Sequence, residues 1–206
     1  MSKTLGTSLV LCLVLSVLPA RAGEMLVLHL DPQRSTLDFV LDATLHTVRG
    51  NLGRPSGRIA FDPATGVATG EVVIDLARAD TGIARRDQKM HEKVLETDRY
   101  PTAVYTIDRI DLPASLRQGR NDVQLHGVLE LQGETHHVAV PAVAVVEGDQ
   151  VTATGWIDVP YVDWGLPDPS FFVLRVGKTV RVELAIGGAL EGKLPPAPAT
   201  AAAPPR

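Results

Sequence analysis

Asp87 and His91 stand four residues apart in Asp80–Pro101, the most densely charged stretch of the chain. On a helix that spacing puts both on one face. A carboxylate beside an imidazole could carry acid/base chemistry, with His91 and either Asp87 or Glu92 acting in hydrolysis. The same pair could give two ligands to a metal, with a third from His136 or His137. Neighbouring strand residues point to opposite faces, so only one of these two could contribute. Neither chemistry is developed further. There is no H-E-x-x-H, no cysteine cluster and no G-x-S-x-G. Isolated histidines and carboxylates on an exposed helix are ordinarily solvated. The sequence therefore predicts no catalytic residue, no metal and no cofactor. Arg85 and Arg86 are a separate candidate. Arginine forks match phosphate and carboxylate, so the pair could hold a polar lipid head group, or else ion-pair with Asp80, Asp87 or Asp98.

The elements that must position these groups are mostly strands. Apolar residues fall at every second position in Leu37–Leu45, Val123–Leu131, His136–Val146, Val151–Val159 and Val180–Ile186. That is the pattern of half-buried strands. Shorter candidates lie at 26–30, 57–61, 70–76, 101–110 and 171–175. Turn signals separate them, among them Asp62-Pro63, Gln132-Gly133 and Glu147-Gly148. Pro141 inside a strand predicts a bulge or an edge. One helix is expected, over about Ala84–Glu96. Its narrow apolar stripe of Met90, Val94 and Leu95 would pack on the sheet, and its charges would face water. Pro101 keeps the helix from continuing.

The ends set the compartment. Lys3, the uncharged apolar run Leu5–Leu18 and the closing Ala20-Arg21-Ala22 read as a cleaved secretory signal over residues 1–22. The run is too short to span a bilayer. Cys12 lies within it, so the 184 residues that remain of 206 contain no cysteine. Such a chain must be held by its core alone. Of 20 basic residues, Lys3 and Arg21 lie in the signal, leaving 18 against 24 acids, a net of −6. That balance argues against nucleic acid as a partner and gives no support to binding anionic membrane surfaces. Residues 194–206 form a Pro/Ala tail, expected to be disordered. The domain between them spans 23–193.

Strands with one apolar face must close into a barrel or stack as two sheets. Eight strands enclose a space that side chains just fill, or that holds one small ligand. The inward positions here include Ala43, Ala103, Gly127, Ala142, Ala144, Ala153 and Gly155, and only 4% of the chain is aromatic. Residues so small imply either closely approaching sheets or a dry space filled from outside. Composition leaves both open.

The sequence resembles the YceI-like family. The resemblance is carried by Leu30–Phe39, Thr47–Gly50, Ser56–Ile59, Asp80–Gly82, Arg86-Asp87, Tyr100–Thr102, Leu125–Thr135 and Asp163-Trp164-Gly165, in order across nearly the whole mature chain. It departs from the common pattern in having Trp164 where many members have phenylalanine, and in lacking a histidine near Val40–Asp42. The resemblance implies a periplasmic all-β protein: an extended eight-stranded antiparallel lipocalin-like barrel with one short helix after about the fourth strand. It further implies a polyisoprenoid or isoprenoid quinone bound inside, and brings no catalytic residues.

The ligand-wall residues expected on this reading are Phe39, Leu41, Ala43, Leu45, Ala103, Tyr105, Leu125, Leu129, Val140, Ala142, Val182 and Leu184. Trp164 and Phe171, from the aromatic loop Tyr161–Phe172, would cap the barrel and touch the ligand. The function expected is non-covalent carriage of an apolar lipid, without stable membrane insertion and with homodimer formation left open. The alternatives are a ligand-free structural or interaction module of the cell envelope, and a hydrolase using His91 and Asp87.

Overall fold

The structure is a computed structural model that describes residues 24–44, 46–113, 116–170 and 175–194. The expected signal segment and all of the tail except Leu194 lie outside them. Ten hydrogen-bonded segments are formed: β1 (Leu26–Leu30), β2 (Thr36–Asp42), β3 (Thr47–Asn51), β4 (Ser56–Phe61), β5 (Val67–Asp75), β6 (Thr102–Asp111), β7 (Gly119–Leu131), β8 (Glu134–Glu147), β9 (Gln150–Val159) and β10 (Val180–Glu191). They make eight staves. β1 and β2 follow one another along a single edge of β10, with Leu30 opposite Gly188 and Thr36 opposite Ala185. β3 and β4 follow one another in the same way along β2 and β1. Every stave is antiparallel to its chain neighbour, and β10 returns to β1 and β2 to close the barrel.

The break inside the first stave is held by one buried hydroxyl. Ser35 donates to the Asp31 carbonyl at 2.8 Å, and its oxygen accepts the Gly187 amide at 3.1 Å. The segment Asp31–Ser35 thus leaves the ladder without orphaning its polar groups. Gln132 and Gly133, both at positive φ, turn β7 into β8 in the manner of a two-residue hairpin.

The long alternating runs became β2, β7, β8, β9 and β10. β3 was not expected, because Thr47–Asn51 lacks apolar alternation. It forms by pairing with β2, where Val48 faces Leu41. The helix α1 (Ala84–Met90) continues as a wider turn over His91–Leu95, closed by Glu96 in a left-handed conformation. It follows β5, the fifth strand segment and third stave, near where the resemblance implied. At Pro141 the structure shows an edge. β8 pairs with β9 only from Glu147 to Ala142 and then parts from it, since proline offers no N–H to continue the ladder.

Two of the small inward residues have another role than leaving room. A Cβ on Gly127 would come within 2.2 Å of the Thr106 carbonyl oxygen, and one on Gly155 within 2.3 Å of the Pro141 carbonyl oxygen. These glycines let adjacent staves bend closely together. Ala144 is half-buried and lies away from the central space.

Candidate functional site

Alternation sends one side chain in two to the interior, and the interior is hollow. A cavity of about 520 Å³ runs through the barrel, and its wall is almost wholly aliphatic. This decides against the solid sandwich. One end of the barrel is closed: Leu26, Phe61, Ile110, Leu116, Val146 and Leu190 pack together there, all buried, and none faces the cavity. Asn121 pins the loop over that end, accepting the Arg117 amide at 3.1 Å and donating to the Arg117 and Gly119 carbonyls at 2.8 and 2.9 Å.

The other end carries the polar lining. Thr44 and His46 come from the β2–β3 turn, Thr81, Arg86 and Lys89 from the approach to α1 and the helix itself, and Arg175 from the β9–β10 connection. These segments are tied to one another. Arg175 and Thr44 exchange bonds at 2.9 Å through backbone and hydroxyl, and Lys89 Nζ donates to the Pro169 carbonyl at 3.3 Å. Above them the helix lies as a cover. Met90, Val94 and Leu95 face the cavity, and the wider turn at His91–Leu95 brings the last two to the same side.

The charged motif beneath this cover is structural. Arg86 Nε donates to the Thr81 hydroxyl at 2.7 Å and Nη2 to the Thr81 carbonyl at 2.9 Å. The Thr81 hydroxyl and amide both donate to Asp87. Hydrogen bonds from Thr81 hold the Asp87 carboxyl below the usual carboxylate range, the hydroxyl contributing most. His91 Nε2 donates to the Ala79 carbonyl, and a carbonyl only accepts, so that nitrogen carries the proton. Nδ1 then accepts from the Thr97 hydroxyl at 3.1 Å. Asp87 and His91 thus turn to different partners, and the dyad that their spacing allows is not assembled. Among the described residues no three His, Cys, Asp or Glu side chains are gathered as metal ligands.

Two phenols and one imidazole are further polar groups of the interior. Tyr105 donates to the Val138 carbonyl at 3.0 Å, and burial raises its pKa well above the ordinary tyrosine value. Tyr161 donates to the Gly177 carbonyl at 2.7 Å; burial, with the Asp168 charge second, pushes it up to about 12. His136, opposite Leu129 on the inner face, stacks on Trp164 with ring centroids 4.0 Å apart and planes 6° apart. Its Nε2 is buried and has no hydrogen-bond partner among the described residues.

Of the expected wall residues, Phe39, Leu41, Ala43, Ala103, Tyr105, Leu125, Leu129, Val140, Ala142, Val182 and Leu184 all line the cavity. Trp164 does not; it covers His136. Leu45 and Phe171 lie outside the described residues. Arg86 reaches the cavity and Arg85, one residue earlier, does not. Ion pairing of Arg85 or Arg86 with Asp80, Asp87 or Asp98 is not formed among the described residues. Lys89 and Arg175 were missed. Lys89 lay in a stretch read as solvated, and nothing local to Arg175 shows that it lines the cavity.

A family model for the YceI-like domain matches residues 28–187. The chain belongs to the YceI-like family. Among curated proteins none matches its sequence significantly. Solved structures with the YceI-like barrel of this chain include Burkholderia cenocepacia BcnA, with TM-score 0.64 and 20% identity over 77% of this chain and 98% of the other. A polyisoprenoid binding domain from Saccharophagus degradans, implicated in plant cell wall breakdown, has TM-score 0.64 and 22% identity over 79% and 97%. The Campylobacter jejuni YCEI protein follows at 0.51 and 16%, over 69% and 86%. At these identities the likeness is one of fold. No helix among the described residues is long and apolar enough to cross a membrane.

Proposed function

We propose that this YceI-like protein is an exported, periplasmic carrier that holds a long apolar amphiphile in its barrel without chemistry. The observation that carries the reading is the hollow aliphatic interior. By the cost measured per unit of void in engineered protein cores, leaving 520 Å³ unfilled corresponds to on the order of 10 kcal/mol. That is comparable with the whole stability of a domain, so an apolar guest strongly favours the filled state. Affinity comes from burying hydrocarbon, at about 25 cal/mol per Å² before the losses of association. The polyisoprenoid binding named for the Saccharophagus degradans domain supports the choice of guest. The expected wall residues that reach the cavity, from Phe39 to Leu184, would contact the chain, and Arg86 would stand near its head.

Native mass spectrometry of the gently purified protein, followed by organic extraction, tests this. A lipid in about one-to-one amount is expected. A mass matching the bare mature chain, with no uptake of added prenyl lipids, would instead make the barrel a structural module.

A further inference from the structure

Two features of the cavity specify the guest more narrowly than hydrocarbon. The first is its length. A dry cavity of about 150 Å³ holds the six carbons of benzene, so 520 Å³ scales to about 20 carbons. The plug of Leu26, Phe61, Ile110, Leu116 and Leu190 bars any exit at the far end, so a longer chain must leave its surplus at the mouth. The second is the sign of charge. Among the described residues, every charged side chain in the cavity lining is a cation: Arg86, Lys89 and Arg175, with His46 beside them. This occurs in a chain with more acids than bases.

Two acids feel these cations, Asp87 the charge of Arg86 and Asp168 that of Arg175, but hydrogen bonds to Thr81 and Ser170 act on them more strongly. Asp87 is held by Thr81, and Asp168 accepts the Ser170 amide at 2.9 Å; neither lines the cavity. Arg86 has its Nε and one terminal nitrogen engaged by Thr81. Lys89 spends one proton on the Pro169 carbonyl and keeps two, and the exposed Arg175 side chain forms no ion pair among the described residues.

We infer that the barrel selects amphiphiles with a single chain of about 20 carbons and an oxyanion head, phosphate or carboxylate, seated between Lys89 and Arg175. This rests on the carrier reading. A neutral head leaves the cations to water and gains nothing from them, whereas an oxyanion makes charge-assisted bonds at the edge of a low-dielectric space. Carbons beyond the twentieth stay in water and add no affinity.

The test uses the full mature chain, stripped of lipid by chromatography and titrated in native mass spectrometry. The probes are a 20-carbon prenyl phosphate, the acid and the alcohol with the same chain, and a 40-carbon prenyl phosphate. The phosphate and the acid should bind about tenfold more tightly than the alcohol. Whichever of the two binds more tightly identifies the head. The double change Lys89→Gln and Arg175→Gln should bring both to the level of the alcohol and leave the alcohol unaltered. The single change Lys89→Glu, at an exposed position, should act in the same direction. The 40-carbon phosphate should bind no more tightly than its 20-carbon counterpart. Equal binding of alcohol and anions overturns the head assignment, and a tenfold gain from 20 to 40 carbons overturns the length. If none of the four probes binds, the carrier reading itself falls.

Discussion

His91 Nε2 lies 2.8 Å from the Ala79 carbonyl oxygen, joining the wider turn of the helix to the segment that leaves β5. The imidazole is a strut under the cover of the cavity. His91→Ala removes this bond and the one to Thr97, and leaves the carbonyl of buried Ala79 without its donor. A loss of about 1–3 kcal/mol in unfolding free energy is expected, together with faster lipid release. Urea titration and off-rates measure the two. Unchanged stability would contradict the strut.

Ala142 is buried on β8 and faces the cavity. Ala142→Phe places a ring in empty space rather than against close-packed neighbours, so the usual penalty of overpacking is largely avoided. The melting temperature should hold or rise while lipid retention falls at least tenfold. A variant retaining lipid as well as the parent would place the guest elsewhere.

Tyr105 is the phenol that reaches across to β8. Tyr105→Phe strips the Val138 carbonyl of its donor inside an apolar space, a cost of about 1–2 kcal/mol by thermal or urea unfolding. No cavity residue but Tyr105 changes, so the apolar volume available to a chain stays the same, and lipid stoichiometry should not alter.

Acid and alkali act on different parts. The folded pKa of Asp87 lies below its unfolded value, so its contribution is complete above about pH 4 and is lost as pH falls through the folded value. Hydrogen exchange over residues 81–95 should accelerate below about pH 4, and Asp87→Asn should abolish that dependence. Tyr161 is raised to about 12, so its contribution is complete below about pH 10 and declines between there and 12. The unfolding midpoint should drop over that interval, and less steeply in Tyr161→Phe.

The strands were legible because burial on one face writes a period of two into the chain, and Val123–Leu131 or Val180–Ile186 need no partner to display it. β3 was not legible. Thr47–Asn51 is held by the ladder it completes with β2, which is a property of two segments rather than one. The wall of the cavity followed from the same alternation, because in a closed barrel the inward face of each stave points to a common axis. Gly127 and Gly155 looked alike in sequence to Ala103 and Ala142. Only the approach of neighbouring carbonyls separates a glycine that lets staves bend from an alanine that leaves space.

From sequence came the all-β class, the wall from Phe39 to Leu184, and a charged helix with an apolar stripe, since each depends on periodicity along one stretch of chain. Tertiary structure decided that the interior is hollow, that His91 and Asp87 part company, and that Lys89 and Arg175 share a mouth. Enclosed volume and the lining of one cavity by side chains 86 residues apart depend on how staves close, and closure is set by pairing between segments distant in the chain.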